Sequence, residues 1–185
     1  MVENEMTAQN LRSAFGGESQ AYQRYKVWAN KADKDGFPNV ALLFRAISYA
    51  EEVHASNHFE AHGNVEGDFL VASNAGFGIG STAENLEGAI AGENFEIEQM
   101  YPSYHLIASD QDESDALQSF YYALEAEKIH SKLYSEAKEA VEDEKDYDLE
   151  YISVCEVCGH TVKDDTPDQC PICGAHKEEF KEFKK

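Results

Sequence analysis

Four stretches of this chain repeat apolar residues at helical spacing, and every one of them carries glutamate inside its apolar stripe. In the first, Leu11, Phe15, Tyr22, Tyr25 and Ala29 line one face and Glu18 falls among them. In the second, Val40, Leu43, Phe44 and Ile47 lead into Glu51 and His54. The third combines Leu86, Ile90, Ile97, Met100 and Tyr104 with Glu93 and Glu96, and the fourth combines Leu117, Phe120, Leu124 and Tyr134 with Glu127 and His130. A carboxylate buried without a partner is costly, and converging carboxylates also repel one another. Arg24 and Arg45 are the only arginines near these turns, too few to neutralise five acids. A pair of bound cations solves the problem, and carboxylate oxygens with two imidazoles suit iron or manganese.

The spacing carries the same message. Glu51-x-x-His54 and Glu127-x-x-His130 each put an acid and an imidazole at i and i+3, so both side chains reach one point. Di-iron carboxylate bundles use one Glu from each of two helices and a Glu-x-x-His from each of the other two. This chain supplies Glu18, Glu51 with His54, Glu93, and Glu127 with His130. One such pair arises by chance in an acidic helix. Two on alternate helices, both within the apolar stripe, form a specific signal. Glu96, one turn beyond Glu93, reads as an alternative ligand or a supporting acid.

The stripes place helices at about 8–32, 38–62, 81–109 and 113–144. Thr7 is the expected N-cap of the first, and Asp35-Gly36 ends it. Pro38 suits the first turn of the second and Gly63 its end. Ser81-x-x-Glu84 fits a capping box, and Pro102 predicts a kink in the third helix. The connection from Gly63 to Gly80 is long and glycine-rich, whereas the other two are short. Two hairpins joined by one long crossover make a ferritin-like four-helix bundle, with residues 1–146 as its domain and 147–185 as a second, small domain.

A net charge of −21 repels phosphate backbones and anionic lipid, so neither nucleic acid nor membrane is an expected partner. No apolar run approaches membrane-spanning length, and the polar Met1-Val2-Glu3-Asn4-Glu5 lacks the pattern of a secretory signal. All four cysteines lie in two Cys-x-x-Cys pairs near the C-terminal end, Cys155 with Cys158 and Cys170 with Cys173. An acidic chain with no other cysteine reads as cytoplasmic, with thiolates that bind metal rather than form disulfides. Four thiolates make a closed tetrahedral site for iron or zinc, and Gly159 and Gly174 let the backbone turn over the sulfurs. His160 and His176 then read as surface residues, His58 and His62 as a polar helix end, and His105 as structural.

Glu18-Ser19-Gln20-Ala21-x-x-Arg24-Tyr25, Glu51-x-x-His54, Ala91-Gly92-Glu93-x-x-Glu96 with Met100-Tyr101-Pro102, and Glu127-x-x-His130 resemble the rubrerythrins in order and spacing. The cysteine pairs complete the resemblance, which spans nearly the whole chain. It implies a di-iron centre bridged by Glu51 and Glu127, with Glu18 terminal on the first iron and Glu93 with His130 on the second. It also implies that Glu96 and His54 exchange on the first iron with oxidation state, that Tyr25 and Tyr101 support the ligands, and that the cysteines form a rubredoxin-like iron site. A harder ferric ion gains more from carboxylate, and a ferrous ion tolerates imidazole.

The implied function is a non-haem peroxidase that reduces hydrogen peroxide to water, fed through the cysteine iron by an external NAD(P)H-linked reductase or a rubredoxin. No Gly-x-Gly-x-x-Gly fingerprint is present, so the chain itself is not expected to bind NAD(P)H. Two other readings use the same residues. Ferrous-iron oxidation for storage needs no cysteine module and predicts a many-subunit cage. A binding module with zinc in the cysteines leaves the inward acids unexplained and predicts a colourless protein. A homodimer or higher oligomer is expected by resemblance, and the long crossover allows exchange of helix pairs between subunits.

Overall fold

A computed structural model describes residues 2–185. Five helices and three short strands follow in order: α1 Glu5–Asp35, α2 Pro38–His62, α3 Thr82–Phe95, α4 Tyr101–Asp110, α5 Ser114–Glu142, β1 Tyr151–Cys155, β2 Thr161–Lys163 and β3 Phe180–Lys184. A π-helical turn, Glu96–Met100, joins α3 to α4, so these two form one broken helix of a four-helix bundle.

α1 and α2 form the first hairpin and α3–α4 with α5 the second. Gly36 closes α1 at φ 90°, its amide reaching the Ala32 and Asp33 carbonyls, a left-handed conformation that glycine adopts without penalty. Ser81 and Glu84 form the expected capping box at the start of α3. Asp35, at the end of α1, accepts from the backbone and hydroxyl of Thr82 and ties that corner together.

Two local expectations are corrected. Thr7 does not cap α1, because the helix starts earlier, after Asn4, and Thr7 lies buried inside it with its hydroxyl on Gln111 at 2.6 Å. Asn4 and the backbone of Glu3 are instead held by the Glu113 carboxylate. Pro102 does more than kink its helix. It lies in the first turn of α4, directly after the π-turn, where its missing N–H leaves no ordinary helical bond to make. Tyr101 N–H bonds five residues back to Glu96, the signature of a π-bulge.

The apolar core comes in two main pieces. Tyr25, Trp28, Phe44, Ile47, Leu86 and Tyr134 belong to one, and Leu11, Tyr101, Ala116 and Phe120 to the other. The in-stripe acids lie along the same helices between them. Each fully buried large side chain contributes on the order of 1.5–3 kcal/mol, so the two pieces can hold the bundle around a polar middle.

The C-terminal strands form one antiparallel sheet in the order β2-β1-β3, with Val154 opposite Thr161 and Ile152 opposite Phe183. Ile152 and Val154 project into the same cluster as the bundle's aromatic core. The small domain is therefore packed on the bundle. The two cysteine knuckles turn at Gly159 (φ 78°) and Gly174 (φ 79°), whose amides bond back to Cys155 and Cys170.

Candidate metal centres

The helical stripes deliver their acids to one place. Glu18 from α1, Glu51 and His54 from α2, Glu93 from α3, and Glu127 and His130 from α5 are all essentially sealed from solvent. Their ligand atoms form two clusters, Glu18, Glu51, His54 and Glu127, and Glu51, Glu93, Glu127 and His130, each with every atom within 4.8 Å of the others. Glu51 and Glu127 belong to both clusters, so they stand between two adjacent cation positions. The four cysteine sulfurs form a third cluster within the same limit.

Glu96 opens the π-turn, is half-buried and belongs to neither bundle cluster. The structure thus gathers the imidazole set around His54. Tyr25 donates to Glu93 at 2.6 Å, and the Tyr101 hydroxyl donates to Glu18. Neither arginine enters: Arg45 pairs with Asp33 at the surface, and Arg24 lies over the Tyr25 and Trp28 rings.

Two buried carboxylate oxygens, Glu18 Oε2 and Glu51 Oε1, make no hydrogen bond, and Glu127 Oε1 makes none of good geometry although it lies 2.8 Å from His54 Nδ1. Buried polar atoms in native proteins rarely lack partners. Two of these orphans sit on the residues shared by both clusters, where a pair of cations would take them up. The residues fit a two-metal site on that ground, and the oxygen-rich donor set with one imidazole per cluster suits iron. The cysteine cluster fits a single tetrahedral ion.

Burial, and then the Glu127 charge, push the Glu51 and Glu93 carboxyls well above the ordinary carboxylate range. Burial raises Glu127 as well. Glu18 goes the other way. Burial opposes its ionisation, but His58, the charge of His54 and the Tyr101 hydroxyl outweigh it and leave the carboxyl below its usual value. Burial disfavours a charge on His54, yet Glu127 outweighs it and lifts the ring to about 9, while burial pulls His130 down to about 4.

These directions give a signed prediction for the protein stripped of metal. A carboxyl raised in the folded state stabilises fully below its unfolded value of 4.5 and loses that contribution as pH climbs through the folded value. His54, raised from 6.5, acts in the same direction at higher pH. His130 has the opposite sign, but only below its unfolded value of 6.5. Chelated protein should therefore melt at a lower temperature at pH 9 than at pH 7, and metal-loaded protein should show a much flatter dependence. Calorimetry of both forms checks this.

The small domain rests on the two histidines of the bundle clusters. His54 Nδ1 faces Glu51 at 3.1 Å, and its Nε2 meets the Cys158 carbonyl oxygen at 3.2 Å. His130 Nδ1 faces Glu127 at 2.6 Å, and its Nε2 meets the Thr161 hydroxyl at 2.9 Å. Asn57 donates to the Val157 carbonyl, and Tyr49 to Glu156.

Several residues were misread from sequence. His58 is sealed, with Nδ1 2.7 Å from the Ser119 hydroxyl and Nε2 2.9 Å from the Tyr101 hydroxyl. His62 is buried and bonds Arg12, and His160 is buried beneath the small domain. His58 sits four residues after His54, on the same stripe, so periodicity held the signal. The contacts of Cys158 and Thr161 have no signal in local sequence. His176 is exposed, as expected.

The model of the rubrerythrin family matches residues 9–138, and that of the rubrerythrin rubredoxin-like domain matches residues 154–181. Rubrerythrin-2 of Clostridium acetobutylicum is 46% identical over 182 residues, covering 98% of this chain and 99% of the relative. Rubrerythrin of Porphyromonas gingivalis is 33% identical, over 97% and 90% of the two chains. Among solved structures, the fully reduced, all-ferrous state of nigerythrin superposes with a TM-score of 0.86 at 28% identity, over 99% of this chain and 88% of the other. The bundle clusters and the cysteine knuckle correspond in kind to the iron centres of these proteins. With both of its parts matched, the chain belongs to the rubrerythrin family, di-iron oxidoreductases of oxidative-stress defence that carry a rubredoxin-like domain.

Proposed function

We propose that this protein is a peroxidase that reduces hydrogen peroxide to water, with electrons entering through the four-cysteine iron. The observation that carries the reading is the 3.2 Å contact between the Cys158 carbonyl and His54 Nε2. A metal-binding cysteine and a bundle imidazole are thereby joined by one backbone carbonyl and one hydrogen bond. An iron-storage shell or a zinc-stapled binding module has no use for that contact.

In this reading Glu51 and Glu127 would be shared by two irons, with Glu18 and His54 holding the first and Glu93 and His130 the second. Glu96, at the start of the π-turn, would serve the first iron in place of His54 when the iron is oxidised. Bound irons would supply the two-electron reducing chemistry that peroxide requires, and an iron held by the cysteines would pass electrons to the bundle one at a time. The chain's own residues do the rest. Cys158 and Thr161 fix the ring planes of His54 and His130, as outer partners of metal ligands commonly do. Tyr25 and Tyr101 hold hydroxyl hydrogens on Glu93 and Glu18. Surrounding side chains exclude bulk water, which strengthens those bonds.

The external donor is an NAD(P)H-linked reductase or a rubredoxin, and the protein works in the cytoplasm. Among the described residues no helix is long and apolar enough to cross a membrane. Leu70, Phe77 and Ile79 of the crossover stand 92%, 97% and 64% exposed, which supports assembly of at least two copies through this segment.

The test is anaerobic. Reduced, iron-loaded protein should consume peroxide at two electrons per molecule, with the red ferric-thiolate band returning in step with the bundle irons. A band that stays bleached while peroxide disappears would break the proposed electron route. His54→Ala should keep the fold and the oxidised metal but slow turnover, and turnover at the normal rate would remove the ligand-exchange role.

A further inference from the structure

His58 lies one turn past His54 on α2, and the di-iron reading leaves it without a task. Its two nitrogens link a surface pocket to a ligand. Tyr101 donates its hydroxyl hydrogen to Glu18, so the Tyr101 oxygen is left to accept. The atom offered to it is His58 Nε2, at 2.9 Å, which must then carry the ring hydrogen. With its one hydrogen on Nε2, the neutral ring leaves Nδ1 bare to accept from the Ser119 hydroxyl at 2.7 Å. The resulting row, Ser119 to His58 to Tyr101 to Glu18, has every hydrogen pointing inward. Its outer end opens on a pocket of about 220 Å³ walled by Asn57, Glu60, Asp115 and Gln118.

We propose that Ser119, His58 and Tyr101 form a proton relay from this pocket to Glu18. The proposal deepens the peroxidase reading and rests on it, because peroxide reduction consumes two protons in a site sealed from bulk water. One pass moves four hydrogens by one position each. An O–H bond forms at Glu18 Oε1 as the Tyr101 O–H breaks. Tyr101 recovers a hydrogen as the His58 Nε2–H breaks. His58 Nδ1 takes the Ser119 hydrogen, and solvent in the pocket reprotonates Ser119. No electron moves along the row. The starting alignment returns when the two hydroxyls rotate, Nδ1 gives its hydrogen back to solvent through Ser119, and Nε2 takes one from Tyr101.

Aromatic neighbours hold the geometry. Phe120 and Tyr101 both pack against the His58 ring, at 5.6 and 5.8 Å between centroids. A polar histidine clamped between them, with both nitrogens satisfied by side chains, is an expensive way to fill space that a leucine would fill without hydrogen bonds.

Two measurements test the relay separately from the peroxidase reading. The first uses zinc-loaded full-length protein with ¹⁵N-labelled histidine. NMR should find the His58 hydrogen on Nε2 and should see it exchange with solvent through the Ser119 end. Ser119→Ala should slow that exchange roughly tenfold or more, while Ser119→Thr, which keeps the hydroxyl, should not. A hydrogen on Nδ1 in the resting protein, or equal exchange in wild type and Ser119→Ala, overturns the relay whether or not peroxide is the substrate.

The second follows oxidation of reduced, iron-loaded protein by hydrogen peroxide. Ser119→Ala and His58→Phe should each slow it by roughly tenfold or more at unchanged iron content, within the range of proton-transfer contributions. The double variant should be no slower than His58→Phe alone, because both changes cut one path. Full speed in Ser119→Ala overturns the proposal, and that variant carries the test if His58→Phe does not fold. A wild-type protein inert to peroxide defeats the peroxidase reading, and the exchange measurement still decides the relay.

Discussion

Glu127→Ala is expected to empty the bundle of metal while leaving the cysteine iron in place. Glu127 belongs to both bundle clusters, so its loss removes a donor from each cation position at once. The consequence for stability depends on the metal. In stripped protein Glu127 raises its neighbours: its charge is the largest opposing charge acting on Glu51 and Glu93. Removing it relieves that repulsion and offsets part of the cavity it leaves. In loaded protein the same change removes the linkage stabilisation that metal binding provides, about 4 kcal/mol for a ligand at a thousand times its Kd. At about 2–4 °C per kcal/mol for a chain of this size, the melting temperature of wild type should fall on the order of 10 °C on chelation. In Glu127→Ala chelation should change it little. Paired melting curves with metal analysis check both parts. A variant that retains two bundle metals would contradict the bridging position.

Gly159→Ala is expected to disconnect the two metal sites without emptying either. Gly159 turns at φ 78°, where an L-residue costs about 1–2 kcal/mol. More important is its surroundings, since a Cβ built there would overlap the ring of His54. The ring is sealed and held at both nitrogens, so the knuckle must move off the bundle and break the Cys158 contact. Gly174 supplies the control. It has the same backbone conformation, φ 79°, and the nearest atom to its added Cβ is a Gln169 side-chain nitrogen at 3.9 Å. Gly159→Ala and Gly174→Ala should lose similar backbone stability, while only Gly159→Ala slows electron exchange between cysteine iron and bundle, by roughly tenfold or more. Stopped-flow reduction of the two variants separates them. Equal rates would mean that the docking contact carries no electrons.

The bundle was legible in sequence because its signals are local and periodic. The second helix falls at 38–62 as expected, bounded by Pro38 and Gly63, and the capping box at Ser81 is present. The in-stripe acids converge because a helix that buries one face buries everything on it. What sequence could not supply was contact across elements. Thr7 looks like a cap because threonine favours that position, but a tertiary bond to Gln111 claims it inside the helix. His58 looks like a polar helix end because its partners, Ser119 and Tyr101, come from two other helices. His160 follows a cysteine knuckle that would be exposed in a free-standing domain, and docking on the bundle buries it. Pro102 marked a distortion, yet the π-turn at Glu96–Met100 just before it has no signal in the helical spacing.

The most direct measurement is anomalous diffraction at the iron edge from crystals of anaerobically purified protein. The predicted result is three peaks per chain: two adjacent ones flanked by Glu51 and Glu127, with their orphaned oxygens turned onto them, and one among Cys155, Cys158, Cys170 and Cys173. A bundle centre without peaks, its carboxylates satisfied by hydrogen bonds or rotated toward solvent, would contradict the claim that metal is what allows these acids to be buried.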